Sequence, residues 1–223
     1  MATEPTVTPS SDVAELEQEP SAAAELFGDR IELARQFTRA LAEHGEERGL
    51  IGPLEVPRLW TRHILNSAIA APLFPAGGTV GDVGSGAGLP GLVLAIARPD
   101  IRWVLIEPME RRVAWLEEQV EALGLDNVIV ERARAEDAGR YEGVLDAVTA
   151  RAVSALRTLL PWTAPLVRDG GELILLKGSG APAEIEAAAK AIRKYKLSDV
   201  RVEVLGEGVL GEETRVVRAT VRG

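Results

Sequence analysis

The apolar positions of this chain change rhythm near its first third. Ile31, Ala34, Phe37 and Leu41 recur at helical spacing and predict an amphipathic helix ending near Gly45. A loop through Gly49, Gly52 and Pro53 leads to a second predicted helix from about Val56, with Trp60, Ile64 and Ala68 on its apolar stripe and Pro72 and Pro75 closing it. From Gly77 onward, short apolar runs alternate with helical segments. Residues 79–83, 102–107, 127–131, 145–150 and 172–177 read as strands. Helices are expected at 89–97, 109–123 and 156–167, with a short turn at 135–138. Val113, Leu116, Val120 and Leu123 form the inward stripe of the middle one. A helix over 183–195 precedes two more strands, 200–205 and 214–221. Alternation of this kind, with strands apolar throughout, predicts a parallel sheet covered on both faces. The last two strands have no helix between them and are expected to pair antiparallel.

Composition changes this picture only at the chain's start. Residues 1–21 are rich in Thr, Ser, Pro and Glu and lack periodicity, so they are expected to be a disordered acidic tail. The expected domains are therefore that tail, a helical extension over 22–75, and an α/β domain over 76–223. Five acids and no base fall within residues 1–20, a charge that does not suit a targeting leader. No run approaches the ~20 apolar residues of a membrane span. With no cysteine and two histidines, disulfides, thiolate zinc sites and cysteine nucleophiles are excluded, and no metal centre is expected. A soluble cytoplasmic protein is the expectation. The net charge of −9 argues against a nucleic-acid partner, but it falls to −4 without the acidic start. A local basic face is compatible with that value.

The chemistry concentrates at the first strand end, in Val80-Gly81-Asp82-Val83-Gly84-Ser85-Gly86-Ala87-Gly88-Leu89-Pro90-Gly91. Glycines at a strand-to-helix turn let a ligand approach the backbone. Gly86, Gly88 and Gly91 match the dinucleotide fingerprint. Asp82, however, is expected to face the ligand, where it would repel a pyrophosphate and suit an ammonium group. That preference favours S-adenosylmethionine over a nicotinamide dinucleotide. Glu107, ending the second strand, is placed to accept hydrogen bonds from ribose hydroxyls, and Ala135-Glu136 falls where an adenine ring would lie. Arg151 ends the fourth strand and Lys177 the fifth, both on the edge expected to face the transferable methyl. Amine-methylating enzymes place an Asp/Asn/Ser-Pro-Pro-aromatic motif there, and none is present. Covalent pyrimidine C5 chemistry needs a cysteine that the chain lacks. On the second helix Arg58 and Arg62 share a face that Asn66 continues, with His63 alongside near Trp60. The run Lys190, Arg193, Lys194 and Lys196 reads as a solvated helix face or a phosphate contact. On residues alone, a methyltransferase for another RNA or a small molecule, and a dinucleotide-binding oxidoreductase or sensor, stay open.

Arg62-His63-Ile64-Leu65-Asn66-Ser67, the segment Asp82–Gly91, Arg151-Ala152 and Lys177-Gly178 together resemble the bacterial 16S rRNA (guanine-N7) methyltransferase G family (RsmG, also called GidB). The likeness extends from about Ala22 to the end of the chain; many members carry Asp where Asn66 stands. The resemblance implies a class I S-adenosylmethionine-dependent methyltransferase: a Rossmann-like α/β fold with a seven-stranded, mostly parallel sheet and an antiparallel last strand. It also implies methylation at N7 of a guanine (position 527 in RNA numbering) of 16S rRNA. The expected cofactor residues are Asp82, Gly84, Ser85, Gly86, Gly88, Leu89, Glu107, Pro108, Met109, Ala135, Glu136 and Arg151. Arg151 and Lys177 are the expected catalytic residues, and Arg58, Arg62, His63 and Lys177 the expected RNA contacts. The expected partner is 16S rRNA, within the small ribosomal subunit or its assembly intermediate, with the protein acting as a monomer away from membranes.

Overall fold

The computed structural model describes residues 15–223. Helices α1 (Ala22–Phe27) and α2 (Ile31–His44) are followed by a π-helical turn, Trp60–Leu65, that runs into the short α3 (Asn66–Ala68). Then come β1 (Thr79–Val83), α4 (Gly91–Ala97), β2 (Arg102–Ile106), α5 (Glu110–Ala122), β3 (Val128–Glu131) and β4 (Leu145–Arg151). The chain closes with α6 (Leu156–Thr163), β5 (Val167–Lys177), α7 (Ala181–Ala187), α8 (Ala189–Lys194), β6 (Leu197–Leu205) and β7 (Thr214–Val221).

The seven strands form one sheet in the order β3-β2-β1-β4-β5-β7-β6. β1 to β5 run parallel, while β7 inserts between β5 and β6 antiparallel to both. The strand order reverses between β1 and β4, and open α/β sheets bind ligands at such a crevice. The pleat sends alternate side chains to opposite faces. Trp103 and Leu105 of β2 join the core under α2, α4 and α5, whereas Val104 and Ile106 join the core under α6.

The expected fold is the one observed, with local differences. β5 begins at Val167 rather than 172, because Gly170 takes a positive φ of 73° and lets the strand start through a turn. The expected helix over 183–195 is two short helices that part at Ala188. The expected second helix is mostly π-helical and 3₁₀.

Part of the expected acidic tail is packed rather than disordered. Residues 1–14 lie outside the described residues. Residues 15–20 lie against the helical extension: Leu16 packs on the core, Glu19 pairs with Arg35 through both oxygens at 2.6 and 2.8 Å, and Glu17 accepts from Thr61 N at 3.0 Å. Each bond joins residues 16 or more apart, so the composition of the segment alone could not show it.

Candidate active site

The chain leaves β1 at Val83 and turns through Gly84, Ser85 and Gly86. Gly84 N and Ser85 N donate to Ile106 O at 2.8 and 3.4 Å, which pins the turn to the end of β2. Gly86 has a φ of +54°, and a Cβ there would project with no atom nearer than 3.7 Å, so the loop presents bare backbone to open space. At Gly91 a Cβ would stand 2.4 Å from both Asp82 Oδ2 and Leu105 Cδ2. Only a hydrogen fits there, which is the condition for α4 to seat on the sheet.

Asp82 does not face the ligand side, as the sequence suggested. It is fully buried beneath the loop and accepts from Gly91 N at 3.1 Å. Its Oδ1 has no partner. Burial pushes its pKa up to about 7, against the nearby Ser85 hydroxyl and Gly91 amide. Glu107 is also buried, yet it borders the cleft. It accepts from Gly86 N through Oε2 and from Met109 N through Oε1, both at 2.9 Å. One carboxylate thus ties together the two loops that follow β1 and β2.

A cleft and its side pocket open over this turn. A cleft of about 530 Å³ is lined by Gly84, Ser85, Gly86, Leu89, Glu107 and Arg151, among others. An adjoining pocket of about 410 Å³ is lined by Val83, Ile106, Ala135, Glu136 and Trp162. Gly84, Pro108, Met109 and Val153 border both, so the space is continuous. Gly88 lies outside it, and a Cβ there would run into Leu92.

Arg151 closes the cleft at the end of β4. Its Nη2 reaches His63 Nδ1 at 2.7 Å and donates to Arg62 O at 3.2 Å; its Nη1 donates to Ser67 Oγ at 3.1 Å and His63 O at 3.3 Å. The π-helical turn supplies two of these acceptors, the carbonyls of Arg62 and His63. A guanidinium only donates, so His63 Nδ1 must accept and the ring proton sits on Nε2. That proton is given to Glu55 Oε2 at 2.5 Å. Burial, and then the Arg151 charge, lower the His63 pKa, which suits the neutral ring. Burial works to raise the Glu55 pKa, but hydrogen bonds from His63 and Arg58 outweigh it and hold the carboxyl below its ordinary value. Burial, and then Arg62, bring Arg151 down to about 10, which leaves it a cation at neutral pH.

Beyond Arg151 and Ala152 lies a second hollow, of about 580 Å³, bordered by Arg62, Lys177, Glu184, Glu212 and Arg215. Arg151 and Ala152 form the wall common to it and the cleft. Ala152 has a φ of +54°, unusual for a residue with a Cβ.

The expected RNA contacts divide. Arg62 borders the second hollow, 3.4 Å from Glu55 and 3.8 Å from Glu212. His63 faces the cleft inside its relay with Arg151 and Glu55. Arg58 pairs with Glu55 at 2.6 Å and borders neither space. Lys177 is nearly buried, paired with Glu184 at 2.8 Å. Lys190, Arg193, Lys194 and Lys196 sit at the β6 side of the sheet and line none of the three hollows.

Sequence reasoning missed Glu55, Arg112 and Glu184. Arg112 lines the cleft, and its Nε is buried without a partner. One signal was available: Arg111 and Arg112 stand in the first turn of α5, where the helix dipole disfavours cations. Glu55 and Glu184 carried no such local mark.

Comparison with known proteins agrees with this geometry. The family described as rRNA small subunit methyltransferase G matches residues 30–214. "Ribosomal RNA small subunit methyltransferase G" of Leifsonia xyli is 70% identical over 207 residues, covering 93% of this chain and 98% of that protein. Its namesake in Clavibacter michiganensis is 65% identical, covering 92% and 97%. Among solved structures, an M. jannaschii protein in complex with AdoMet aligns with a TM-score of 0.57 at 23% identity, over 74% of this chain and 78% of that one. A predicted O-methyltransferase from Agrobacterium tumefaciens aligns at 0.56 and 15% identity, over 72% and 80%. These two likenesses concern the fold. With the family matched over most of its length and relatives this similar, the chain belongs to the rRNA small subunit methyltransferase G family.

Proposed function

We propose that this protein transfers the methyl group of S-adenosylmethionine to N7 of a guanine in 16S rRNA. The observation that carries the proposal is the shared wall: Arg151 and Ala152 separate a nucleoside-sized cleft from a polar hollow, so two ligands can meet there.

The residues present fit the cofactor. The pocket around Ala135, Glu136, Ile106 and Trp162 suits an adenine. Glu107, at the end of β2, keeps lone pairs for ribose hydroxyls beside the two backbone N–H groups it already accepts. Gly86 leaves room for the amino-acid portion, and Arg112, whose Nε is buried without a partner, can take its carboxylate. Asp82 acts from below, by holding Gly91 N and the start of α4.

When bound, this cofactor supplies a methyl group on a sulfonium. Guanine N7 carries a lone pair and no proton, so the chain needs no general base at the reaction. Its residues have to align two partners in line, an effect worth up to ~7–11 kcal/mol when the geometry is good. Arg151, held by four acceptors, sits where it can orient the base without moving. We place the reaction in the cytoplasm, on the small ribosomal subunit or its assembly intermediate, with the protein acting as a monomer.

The test is methylation of small-subunit particles from cells lacking this protein, followed by mass mapping of 16S rRNA. One new N7-methylguanine is expected. Incorporation at another atom, or none, overturns the proposal.

A further inference from the structure

The second hollow holds a cation and a carboxylate side by side, both anchored. Lys177 Nζ lies 2.8 Å from Glu184 Oε2 and donates to Ser154 O at 2.8 Å. Glu184 Oε2 also accepts from Leu156 N at 2.7 Å. Lys177 is only 9% exposed and Glu184 29%, so neither side chain is free to wander. One N–H bond of the ammonium goes to Ser154 O, and the ion pair with Glu184 leaves it at least one donor for a ligand. Glu184 Oε1 makes no hydrogen bond among the described residues, so its lone pairs are open as well. The pair therefore presents a donor beside an acceptor that can take two bonds. It borders the same hollow as Arg151 and Ala152, the wall shared with the cofactor cleft.

Guanine carries the complement on one edge: the O6 acceptor, then the N1–H and N2–H donors. We propose that Lys177 and Glu184 read this edge of the target guanine, Lys177 donating to O6 and Glu184 accepting from N1–H and N2–H. The inference rests on the functional reading above and adds the groups that select the base.

Three physical arguments favour the pair. The usual cation contact to guanine bridges O6 and N7, which would block the atom to be methylated; reading O6 with N1 and N2 leaves N7 open. Adenine offers an amino donor to the lysine and a bare N1 to the carboxylate, so both contacts become repulsive and both protein groups lose a partner. As N7 gains the methyl, positive charge spreads over the purine. A lone lysine at O6 would oppose that charge, but this one is neutralised by Glu184. The carboxylate meanwhile accepts from N–H groups that grow more acidic, so its hold strengthens toward the transition state. The methyl–sulfur bond breaks with its electron pair returning to sulfur, the N7 lone pair forms the new bond, and no proton moves.

The test uses the full chain and reconstituted small-subunit particles carrying either guanine or inosine at the methylated position. Inosine keeps O6, N1–H and N7 and lacks only the N2 amino group. Single-turnover transfer by the wild type should favour guanine by about 10-fold or more, the size expected of a hydrogen bond to a charged group. Glu184→Gln should slow transfer to guanine and bring the guanine-to-inosine ratio within about threefold of unity. Its melting temperature and its affinity for S-adenosylhomocysteine, measured alongside, should stay near wild type. An unchanged ratio in Glu184→Gln overturns the proposal. Equal rates on the two particles with the wild type overturn it too, and that comparison decides alone should Glu184→Gln fail to fold. If the wild type places no methyl on N7 of either base, the functional reading itself fails, and this inference with it.

Discussion

At the scale of single residues, the two glycines most open to test act in different ways. Gly86→Val would put a branched side chain into the cleft at a positive φ. It should abolish S-adenosylhomocysteine binding in calorimetry while leaving the fold intact; retained affinity would show that the loop is not the cofactor's seat. Gly91→Ala meets Asp82 and Leu105 at 2.4 Å and should instead destabilise the fold, by about 1–3 kcal/mol in denaturant titration. Asp82 makes a prediction about pH. Its pKa rises from 3.8 to about 7 on folding, so between those values the folded protein holds a proton that the unfolded chain has released. The stability this contributes is complete below about 3.8 and is lost as pH rises through about 7. Asp82→Asn removes the dependence, so its melting temperature relative to wild type should be higher at pH 8 than at pH 5. A difference that stays constant between those two pH values would refute the burial argument. His63 offers a third case. His63→Asn keeps an acceptor near the Nδ1 position, and His63→Ala does not. The alanine variant should lose methyl transfer by about 10-fold or more, with asparagine recovering most of it. Equal loss in both variants would mean that the acceptor facing Arg151 is not what matters.

At the scale of elements, the π-helical turn Trp60–Leu65 is the joint between the helical extension and the sheet. Its backbone carbonyls receive Arg151 from β4, and its Thr61 N–H is received by Glu17 from the start of the chain. The segment 15–20 therefore braces the element that holds Arg151, although its composition is that of a solvated tail. Deleting residues 1–20 should cost about 1–3 kcal/mol of stability, from the loss of Leu16 packing, the Glu17 bond and the Glu19–Arg35 pair. Thermal melts of the truncated and full chains measure it. An unchanged melting temperature would show that the brace is dispensable.

At the scale of the molecule, an acidic protein of net charge −9 must approach a polyanion. The rim around the second hollow mixes Arg62, Lys177 and Arg215 with Glu184, Glu212 and Glu213. Exposed cations release counterions when they meet phosphates, and a buried, neutralised one does not. Arg62→Ala should therefore lower the salt slope of RNA binding by about one, whereas Lys177→Met should leave the slope alone and reduce methyl transfer. Filter binding across a salt series separates the two; equal slopes for Arg62→Ala and wild type would remove Arg62 from the RNA interface.

The β-α rhythm after Gly77, the glycine turn and the acid at position 107 were legible in the sequence, because each is a local or periodic consequence of the chain. A strand buried on both faces must be apolar throughout, and a backbone that approaches a ligand must lack side chains. That is why the expected parallel sheet, its antiparallel last strand and the glycine turn after β1 agree with the structure. Arg151 and Lys177 could be placed on the right edge by counting strands, but their surroundings could not. His63, held by Glu55, reaches Arg151 across 88 residues, Glu184 comes to Lys177 from the following helix, and Glu17 reaches Thr61 from beyond α2. The direction of the Asp82 carboxylate, under the loop rather than toward the ligand, likewise follows from how closely α4 packs on the sheet at Gly91. Local pattern determines which elements form and which face each one buries. Which charged groups then meet depends on how strand order and the helical extension bring distant segments together, and only the tertiary structure decides that.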